Sequence, residues 1–363
     1  MSGVSAVETP DSGMIRTMPR PHCPLCGGGG TSLYSGLRDA LFGAPGAWRF
    51  VRCERQRCGL LWLDPQPLEA DIGRAYSSYY THKMLPADSV SGVRRAYRAI
   101  KDAYLARRYG YATRAPRQIQ SLVALGLRLF PDRRQFIEGE VMHLSALPNG
   151  RMLDVGCGNG RFMMLMREHG WAVSGVDSDP AAIDSARRAG LDAALGDLHS
   201  CRFESDGFDA IAMRHVIEHV YDPVGVLREC RRVLKPGGRL AITTPNASSW
   251  GHAIFGSVWR GLEPPRHIQI FTPTALADAA GQAGFLALTL WTSARSRGIM
   301  AAESLRIAAA SAGGGRRPVS LWTAGLWFRF IGGARLAAHP LSGEEIMLIA
   351  TKRPSIDRTC PNP

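Results

Sequence analysis

Residues 151–160 place an acid and three alternate glycines directly after a short apolar run, in the order RMLDVGCGNG. Glycine has no Cβ, so a chain with Gly156, Gly158 and Gly160 can turn sharply and bring backbone N–H groups close to a ligand. Asp154 stands just before this turn. The stretch therefore predicts a site for a nucleotide-like cofactor, between a strand and a helix.

A second acid, Asp177, follows the next apolar stretch at residues 171–176. At that spacing a carboxylate can accept hydrogen bonds from both hydroxyls of a ribose. The dinucleotide pattern G-x-G-x-x-G is not completed, because Arg161 stands where its last glycine belongs. Asp154 also suits a cationic amino acid group better than a pyrophosphate, which it would repel. Together these residues favour S-adenosylmethionine over NAD.

The elements that must position these residues alternate between strand and helix patterns, which predicts an α/β fold with a parallel, doubly wound, Rossmann-like sheet. Ligands of such a sheet collect at the carboxyl ends of its strands. Strands are predicted at 151–156, 172–177, 208–214, 239–244 and 285–292, and helices at 160–169, 179–189, 222–234 and 273–283.

The ordered motifs resemble the class I S-adenosylmethionine-dependent methyltransferases. Residues 196–198 (GDL) resemble the adenine-contacting turn after the third strand, and residues 208–215 resemble the fourth strand. The stretches HVIEHVYDP, VLKPGG, TPN and RHIQIFT follow in that order and are similar to the small-molecule branch that includes ubiquinone-type O-methyltransferases. The resemblance covers residues 145–298 and the strand near 344–353, for which it implies an antiparallel final strand.

With this resemblance, the predicted set of cofactor contacts extends beyond the glycine turn and the two acids. The residues predicted to bind S-adenosylmethionine are Asp154, Gly156, Cys157, Gly158, Gly160, Asp177, Ser178, Asp197, Leu198 and Arg214.

Histidines are the candidate catalytic bases. A sulfonium methyl is already electrophilic, so the protein must align the nucleophile and, for a hydroxyl or a carbon acid, remove its proton. His215 and His219 share a face if residues 215–221 are helical, and His267 is a third candidate. Each is equally well explained as a hydrogen-bonded structural residue. The spacing H-x-x-E-H also matches a zinc-protease pattern, but the surrounding motifs favour a methyltransferase.

Two further positions near these histidines leave alternatives open. Similar ubiquinone-type enzymes carry a carboxylate where His215 stands and hold a divalent ion at this turn, with Glu218 and His219 matching. The departure at His215 leaves a metal requirement open. Arg266 could hold a phosphate or carboxylate of the acceptor bidentately, or it could form a surface ion pair.

Four of the eight cysteines fall within the first 58 residues, as Cys23 and Cys26, then Cys53 and Cys58. Two close pairs of thiolates satisfy Zn²⁺ tetrahedrally and would stabilise a segment too small to hold itself. They predict a closed, structural zinc rather than a catalytic one, against the alternative of unpaired thiols. The other cysteines are scattered and are predicted to be core or surface residues.

The chain is predicted to divide into five parts. They are a disordered N-terminus at 1–20, a zinc ribbon at 21–67, a helical cap over the cofactor cleft at 68–146, the methyltransferase domain at 147–353 with an insertion at 299–340, and a tail at 354–363.

The net charge of +13 indicates anionic partners or simply a solubilising surface. The sequence lacks an apolar run long enough to span a membrane and an N-terminal signal pattern, so a cytoplasmic protein is expected. Aromatic and basic residues alternate at 321–331, which could contact a membrane interface or, as we favour, pack on the sheet or over the pocket.

The leading hypothesis is an S-adenosylmethionine-dependent methyltransferase that acts on a small, anionic or lipid-linked acceptor by O- or C-methylation. An RNA methyltransferase is the alternative, because the chain is basic and carries a zinc ribbon. The amino-methylation motif Asn/Asp-Pro-Pro-Tyr/Phe is absent after the fourth strand, where residues 214–217 are RHVI. A non-catalytic module that retains the fold is disfavoured by the intact acids and glycines.

Overall fold

The computed structural model describes residues 14–76, 92–311, 336 and 338–353. The segment 321–331 and the tail 354–363, both of which entered the sequence predictions, lie outside the described residues. Within the described ranges, no helix has the length and apolar character needed to cross a membrane.

The N-terminal segment folds around its cysteines as small antiparallel sheets. Its strands are β1 (Thr17–Met18), β2 (Gly30–Leu37), β3 (Trp48–Cys53), β4 (Leu61–Leu63) and β5 (Gln66–Pro67), followed by a 3-10 helix at Glu69–Tyr76. β2, β3 and β4 pair side by side, with Val51 opposite Trp62. In β3 the buried side chains of Trp48 and Phe50 alternate with exposed arginines, the pattern of a sheet with one face on a core.

The prediction of disorder for residues 1–20 is wrong for residues 14–20. Strand β1 pairs with β5, with Thr17 opposite Pro67. The Arg16 guanidinium contacts Asp71 at 2.7 Å, and the Arg16 backbone N–H donates to the same carboxylate. This partner lies 55 residues away in sequence, so local composition gave no sign of it.

Residues 68–146 are largely helical where they are described, with α1 (Gly92–Tyr109), α2 (Arg117–Gly126), a 3-10 turn (Leu127–Leu129) and α3 (Pro131–Glu140). Tyr104 and Leu105 of α1 join one buried cluster with Met152 and Ala210. Those partners lie on a face of the central sheet. Helix α1 therefore packs against that face, while Gln135 of α3 contacts Ser293 at the carboxyl edge, with 3.2 Å between Oε1 and Oγ. The helical cap over the cofactor cleft stays a prediction.

The central sheet has the order β12-β13-β10-β9-β6-β7-β8. Its strands and the helices between them are β6 (Arg151–Val155), α4 (Arg161–Glu168), β7 (Ala172–Asp177), α5 (Pro180–Arg188), β8 (Asp192–Leu195), β9 (Phe208–Arg214), α6 (Pro223–Val233), β10 (Leu234–Pro245), α7 (Trp250–Phe255), β11 (Gln269–Ile270), α8 (Pro273–Gln282), β12 (Ala287–Ser293), α9 (Arg297–Ser311) and β13 (Glu345–Thr351), with β11 outside this sheet.

This sheet confirms the predicted α/β, doubly wound class. β6, β7 and β8 run parallel to one another, and β9 and β10 continue in parallel on the other side of β6. β13 pairs antiparallel with β10, as the resemblance implied. The chain reverses its direction of winding between β6 and β9, and a crevice at such a switch point is where ligands of this architecture bind.

The stretch at residues 215–221 departs from the predicted helix. His215 has a left-handed backbone, with φ of 56°, and only Ile217–His219 forms a short 3-10 turn. Helix α6 begins later because Asp222 caps it, accepting from the Gly225 N–H, and Pro223 supplies its first position. His215 and His219 therefore do not share a helical face, and the zinc-protease pattern lacks the helix it needs.

Candidate active site at the carboxyl edge

The glycine turn after β6 has two different steric requirements. A Cβ at Gly156 would lie 2.4 Å from Cγ2 of Val216, so the turn after β6 packs closely against the turn after β9. A Cβ at Gly158 would point into open space, which leaves room for a ligand against the backbone. Gly160 precedes α4 as its N-terminal cap residue. The structure thus places the predicted glycines at the head of the crevice.

Asp154 has the features expected of a partner for a cationic amino group. It is buried at the end of β6, and its Oδ1 has no hydrogen-bond partner among the described residues. Burial raises the pKa of this carboxyl to about 7, while the nearby Arg214 opposes the rise. An unpartnered buried oxygen is costly, and the α-amino group of S-adenosylmethionine would satisfy it.

Asp177 closes the cofactor side of the crevice at the end of β7. Its Oδ2 accepts from the Gly158 N–H at 2.8 Å, and its Oδ1 accepts from the Asp179 N–H at 2.9 Å. Burial raises the pKa of Asp177, and these backbone donors counteract the rise. A carboxylate offers about four lone-pair sites, so two remain for ribose hydroxyls. Ser178 follows it and is exposed.

The third strand ends in the predicted adenine turn. Asp197 accepts from the backbone N–H groups of His199 at 2.8 Å and Ser200 at 2.7 Å, which fixes the turn, and these donors lower the pKa of its carboxyl. Asp197 is exposed at the rim, whereas Leu198 is buried and packs in the core.

Two other predicted cofactor residues have different positions. The Cys157 side chain is buried in an apolar cluster with Met163 and Ile183, so its thiol does not face the crevice, and a cofactor contact by this residue stays a prediction for its backbone alone. Arg214 ends β9 and places its guanidinium 4.7 Å from the centre of the Phe162 ring. Its Nε is buried without a hydrogen-bond partner among the described residues, beside Asp154.

His215 lies on the acceptor side of the crevice between two carboxylates. Its Nδ1 is 3.2 Å from Oε1 of Glu218, its Nε2 is 3.3 Å from Oε1 of Glu345, and 42% of its side-chain surface is accessible. Burial alone would lower the pKa of His215, but the two carboxylates outweigh it and raise the pKa to about 9. An imidazolium is a poor base at neutral pH, so these contacts disfavour the prediction of His215 as the base.

The carboxylates that hold His215 are themselves held in place. Glu218 is fully buried and accepts from Thr244 Oγ1 at 2.9 Å. Glu345 contacts Arg295 Nε at 3.2 Å. Burial opposes ionisation of both acids, but their bonds to His215 lower the pKa of each to about 2. Sequence reasoning missed Glu345, Arg295 and Thr244; the acidic pair just before the last apolar strand was the available signal.

His219 and His267 form a second histidine pair, with ring centres 4.8 Å apart. His219 Nδ1 lies 2.8 Å from the Arg266 carbonyl, and His267 Nδ1 lies 2.7 Å from the Gly261 carbonyl. Because a carbonyl only accepts, each Nδ1 carries a proton, which leaves Nε2 as the second ring nitrogen. Burial lowers the pKa of His267 to about 4. Tyr76 Oη also contacts His219.

Glu218, His219 and His267 bring ligand atoms within 4.8 Å of one another, a spacing compatible with a metal ion. The charge distribution does not suit a divalent cation, however. The imidazolium of His215 stands 3.2 Å from Glu218 and supplies a positive charge where the resemblance implies a further carboxylate. We therefore derive no step through a metal at this site.

Arg266 has a structural position instead of the predicted acceptor site. It is fully buried, and its guanidinium contacts Asp39 and Glu263, each at 2.9 Å. Its Nη1 also donates to the Ala75 carbonyl at 2.8 Å. The alternative of a surface ion pair is equally wrong, because Arg266 joins three chain segments in the interior.

The four N-terminal cysteines meet as predicted. All four Sγ atoms lie within 4.8 Å of one another, with 3.8 Å between Cys23 and Cys58 and 3.5 Å between Cys26 and Cys53. A tetrahedron with Zn–S bonds of about 2.3 Å has edges of about 3.8 Å. The cluster therefore fits a closed structural zinc.

The cysteine segment is attached directly to the candidate site. Strand β4 pairs with β11, placing Trp62 opposite Gln269, two residues after His267. The Thr272 hydroxyl donates to the Cys58 carbonyl at 2.6 Å and also caps α8. A change at the cysteine cluster is therefore transmitted through one strand to the histidine pair.

The strand order, the switch point and the series of acid, glycine turn and acid define a doubly wound, Rossmann-like fold of the kind that binds nucleotide-like cofactors. Residues 120–290 match a family model described as a methyltransferase domain. The fold, the site and this match support a methyltransferase domain that uses S-adenosylmethionine.

Similar proteins include ubiquinone biosynthesis O-methyltransferases. The one from Xanthomonas campestris pv. campestris is 33% identical over 133 residues, which cover 35% of this chain and 54% of that protein. The one from Coxiella burnetii is 29% identical over 172 residues, covering 44% and 72%. The chain spans about half the length of the first relatives that it matches. A crystal structure of an S-adenosylmethionine-dependent methyltransferase from Archaeoglobus fulgidus has a TM-score of 0.41 and 18% identity, over 62% of this chain and 94% of that one.

Proposed function

We propose that this protein transfers a methyl group from S-adenosylmethionine to an oxygen or carbon of a small, anionic or lipid-linked acceptor. The observation that carries the proposal is the adjacency of two features: a buried Asp154 oxygen with no hydrogen-bond partner in the described part of the chain, under an open glycine turn, and His215 between two carboxylates at the end of the neighbouring strand. The first suits the cofactor, and the second suits an acceptor with negative charge.

The cofactor residues bind and orient. Asp154 holds the α-amino group, the backbone at Gly158 leaves space for the ligand, and the free lone pairs of Asp177 hold the ribose. This arrangement fixes the sulfonium methyl toward the end of β9. S-adenosylmethionine supplies an electrophilic methyl group, so the remaining requirement is an aligned nucleophile in a site from which water is excluded.

The acceptor residues supply charge and a proton acceptor. Glu218 holds Nδ1 of His215 and Glu345 holds its Nε2, so an acceptor oxygen that binds His215 shares or replaces the contact of Nε2 with Glu345. We assign the base to His219, because the Arg266 carbonyl holds the proton on its Nδ1, which makes Nε2 the proton-accepting atom, and because its ring is only half-buried. The acceptor oxygen or carbon loses its proton to that nitrogen and forms a bond to the methyl carbon. The C–S bond breaks, and S-adenosylhomocysteine leaves.

Transfer of labelled methyl from S-adenosylmethionine by the purified protein tests the proposal. Cell extract is separated after the reaction into small-molecule, lipid, RNA and protein fractions, and Asp154→Asn is assayed beside it at the same sub-saturating cofactor concentration as the matched control. Label in the small-molecule or lipid fraction that requires Asp154 supports the proposal. Label confined to RNA contradicts it and favours the alternative, for which the arginine-rich helices α1 to α3 are the specific observation.

We also propose that the cysteine cluster holds one structural Zn²⁺. The donor set and the sulfur spacing support it, and the metal would brace the loops on either side of β3. Metal analysis of the purified protein should give one zinc per chain, lost in Cys53→Ser but retained in Cys201→Ser. Equal zinc in both variants would place the metal elsewhere.

A further inference from the structure

We propose that helix α2 and the arginine-lined groove beside it form a docking surface for an anionic phospholipid membrane. This surface lies on the helical layer, apart from the carboxyl edge of the sheet, and it is a different segment from 321–331. The inference does not depend on the identity of the acceptor.

The first observation is an apolar face that the described part of the chain leaves uncovered. Every residue of α2 is exposed or half-buried. Leu122, Leu125 and Leu129 recur at spacings of three and four along α2 and the following turn, which places them on one side of the helical stretch. Leu122 is 64% exposed and Leu129 is 80% exposed, and Phe130 beside them is also exposed.

The second observation is a groove of 520 Å³ that adjoins this face. Leu125 lines it together with four arginines, Arg107, Arg108, Arg128 and Arg134. The acid in the groove wall is Glu138, which is engaged by Tyr104 Oη at 2.5 Å and lies 3.9 Å from Arg108. The groove therefore combines an excess of positive charge with an apolar border.

Charge complementarity selects the occupant. Residues 92–140 contain eleven arginines and lysines and four acids, so more than half of the chain's net charge of +13 lies in this layer. Arginine binds phosphate bidentately, and exposed leucines beside arginines match the depth profile of a bilayer interface. A second copy of the chain fits poorly, because a two-fold axis would bring the same basic surface against itself.

The groove is wide enough for the phosphate of a lipid headgroup, and the leucines beside it would enter the acyl boundary. Single-stranded RNA would use the same arginines, but it is held by stacking on aromatic rings, whereas this face is mainly leucine. A lipid surface is consequently the occupant that contacts both the arginines of the groove and the exposed leucines beside it.

Co-sedimentation of the full chain with vesicles tests the proposal. Phosphatidylcholine vesicles are compared with vesicles that also contain phosphatidylglycerol, at low and at high salt. We expect binding to the anionic vesicles alone, weakened by salt. Leu129→Glu and the double variant Arg107→Ala, Arg128→Ala should each lose at least tenfold in binding, because they remove the apolar and the ionic contribution separately.

Matched controls lie elsewhere on the surface. Leu286 is as exposed as Leu122, at 64%, so Leu286→Glu changes the same kind of side chain outside the patch. Arg188→Ala removes an exposed arginine on α5, outside the patch, and is the control for the arginine variant. Equal vesicle binding by Leu129→Glu and Leu286→Glu would overturn the proposal. So would binding of RNA but not vesicles by the unaltered chain, or a doubled mass in solution that Leu129→Glu abolishes.

Thermal unfolding of each variant separates docking from folding. The substituted side chains are exposed, so Leu129→Glu should unfold at the same temperature as Leu286→Glu. A selective drop in Tm for Leu129→Glu would show that the chain itself covers this face, which would also overturn the proposal.

Discussion

The two halves of the crevice are built by different means. On the cofactor side, the turn after β6 and the end of β7 present backbone N–H groups and open space, with Gly158 donating directly to Asp177. On the acceptor side, charged side chains from distant segments neutralise one another, as His215 does with Glu218 and Glu345. Main-chain groups form the cofactor side, whereas charged side chains that compensate one another form the acceptor side.

This difference has a functional consequence. A binding site formed by main-chain groups suits a ligand that never changes, because main-chain geometry tolerates few substitutions. A charge network can be altered by exchanging single side chains, so acceptor preference can change while cofactor binding stays constant. Each substitution should therefore change either the binding of S-adenosylmethionine or the reaction with the acceptor, but not both.

The largest separation is expected for His215→Asn. Asparagine tolerates the left-handed backbone found at this position but removes the positive charge. Methyl transfer should fall roughly 100-fold, as when a preorganised donor to developing charge is removed, while the Kd for S-adenosylmethionine stays within about twofold. Steady-state kinetics and calorimetry check both values. His339→Asn, at an exposed position, is the control, and a weakened cofactor Kd in His215→Asn would show that the halves are not independent.

Asp154→Asn should do the opposite. Losing the charged hydrogen bond to the α-amino group costs about 1.5–3 kcal/mol, so the Kd for S-adenosylmethionine should rise roughly 10- to 100-fold. Saturating cofactor should restore most of the rate. Asp184→Asn on the exposed side of α5 serves as the control in the same titration. An unchanged Kd would mean that another group binds the amine.

Cofactor affinity should also depend on pH through Asp154. Its pKa is about 7 in the free protein, and a bound ammonium group would lower it, so binding favours the carboxylate. As the pH falls below 7, the free protein takes up a proton and affinity should weaken by up to about tenfold per pH unit. Calorimetric titrations across this range measure the slope. Asp154→Asn should have none, and a slope retained in that variant would assign the titration to a different group.

Removal of zinc is expected to have the smallest effect on cofactor binding. Loss of about 3 kcal/mol of ribbon stability should lower Tm by roughly 6–12 °C in Cys53→Ser or after chelation. Because β4 pairs with β11, the KM for the acceptor should rise several-fold, while the cofactor Kd changes by less than about twofold. Calorimetry and kinetics test this against Cys201→Ser. A cofactor Kd that rises as much as the acceptor KM would contradict the independence of the cofactor side and the acceptor side.

The cofactor half was largely predictable from sequence because its function is local. Asp154, the glycines and Asp177 act through a strand end and the turn that follows it, and both are encoded by neighbouring residues. Local spacing did not show the orientation of Cys157, since a residue inside a ligand-binding turn can still point its side chain into the core. The spacing of residues in the sequence does not show which way the Cys157 side chain points.

The acceptor half was only partly predictable because its contacts join residues far apart in sequence. Glu345 meets His215 across 130 positions, and Arg266 meets Asp39 in the cysteine segment. A histidine pattern cannot reveal two carboxylates that turn an expected base into a cation. The helix predicted at 222–234 is present as α6, but the condition that residues 215–221 be helical is not met, since the cap at Asp222 starts α6 only after them.

The pairing of β4 with β11 makes the cysteine segment part of the same cooperative unit as the catalytic domain. A fragment trimmed to the boundary suggested by the sequence motifs, near residue 147, would lose the partner of β11 and the ion pair of the fully buried Arg266. It would expose a bare strand edge, which promotes aggregation, and it would leave the buried Arg266 with Glu263 as its remaining carboxylate partner in place of two. Expression boundaries for this protein should therefore follow hydrogen-bonded strands rather than motif boundaries.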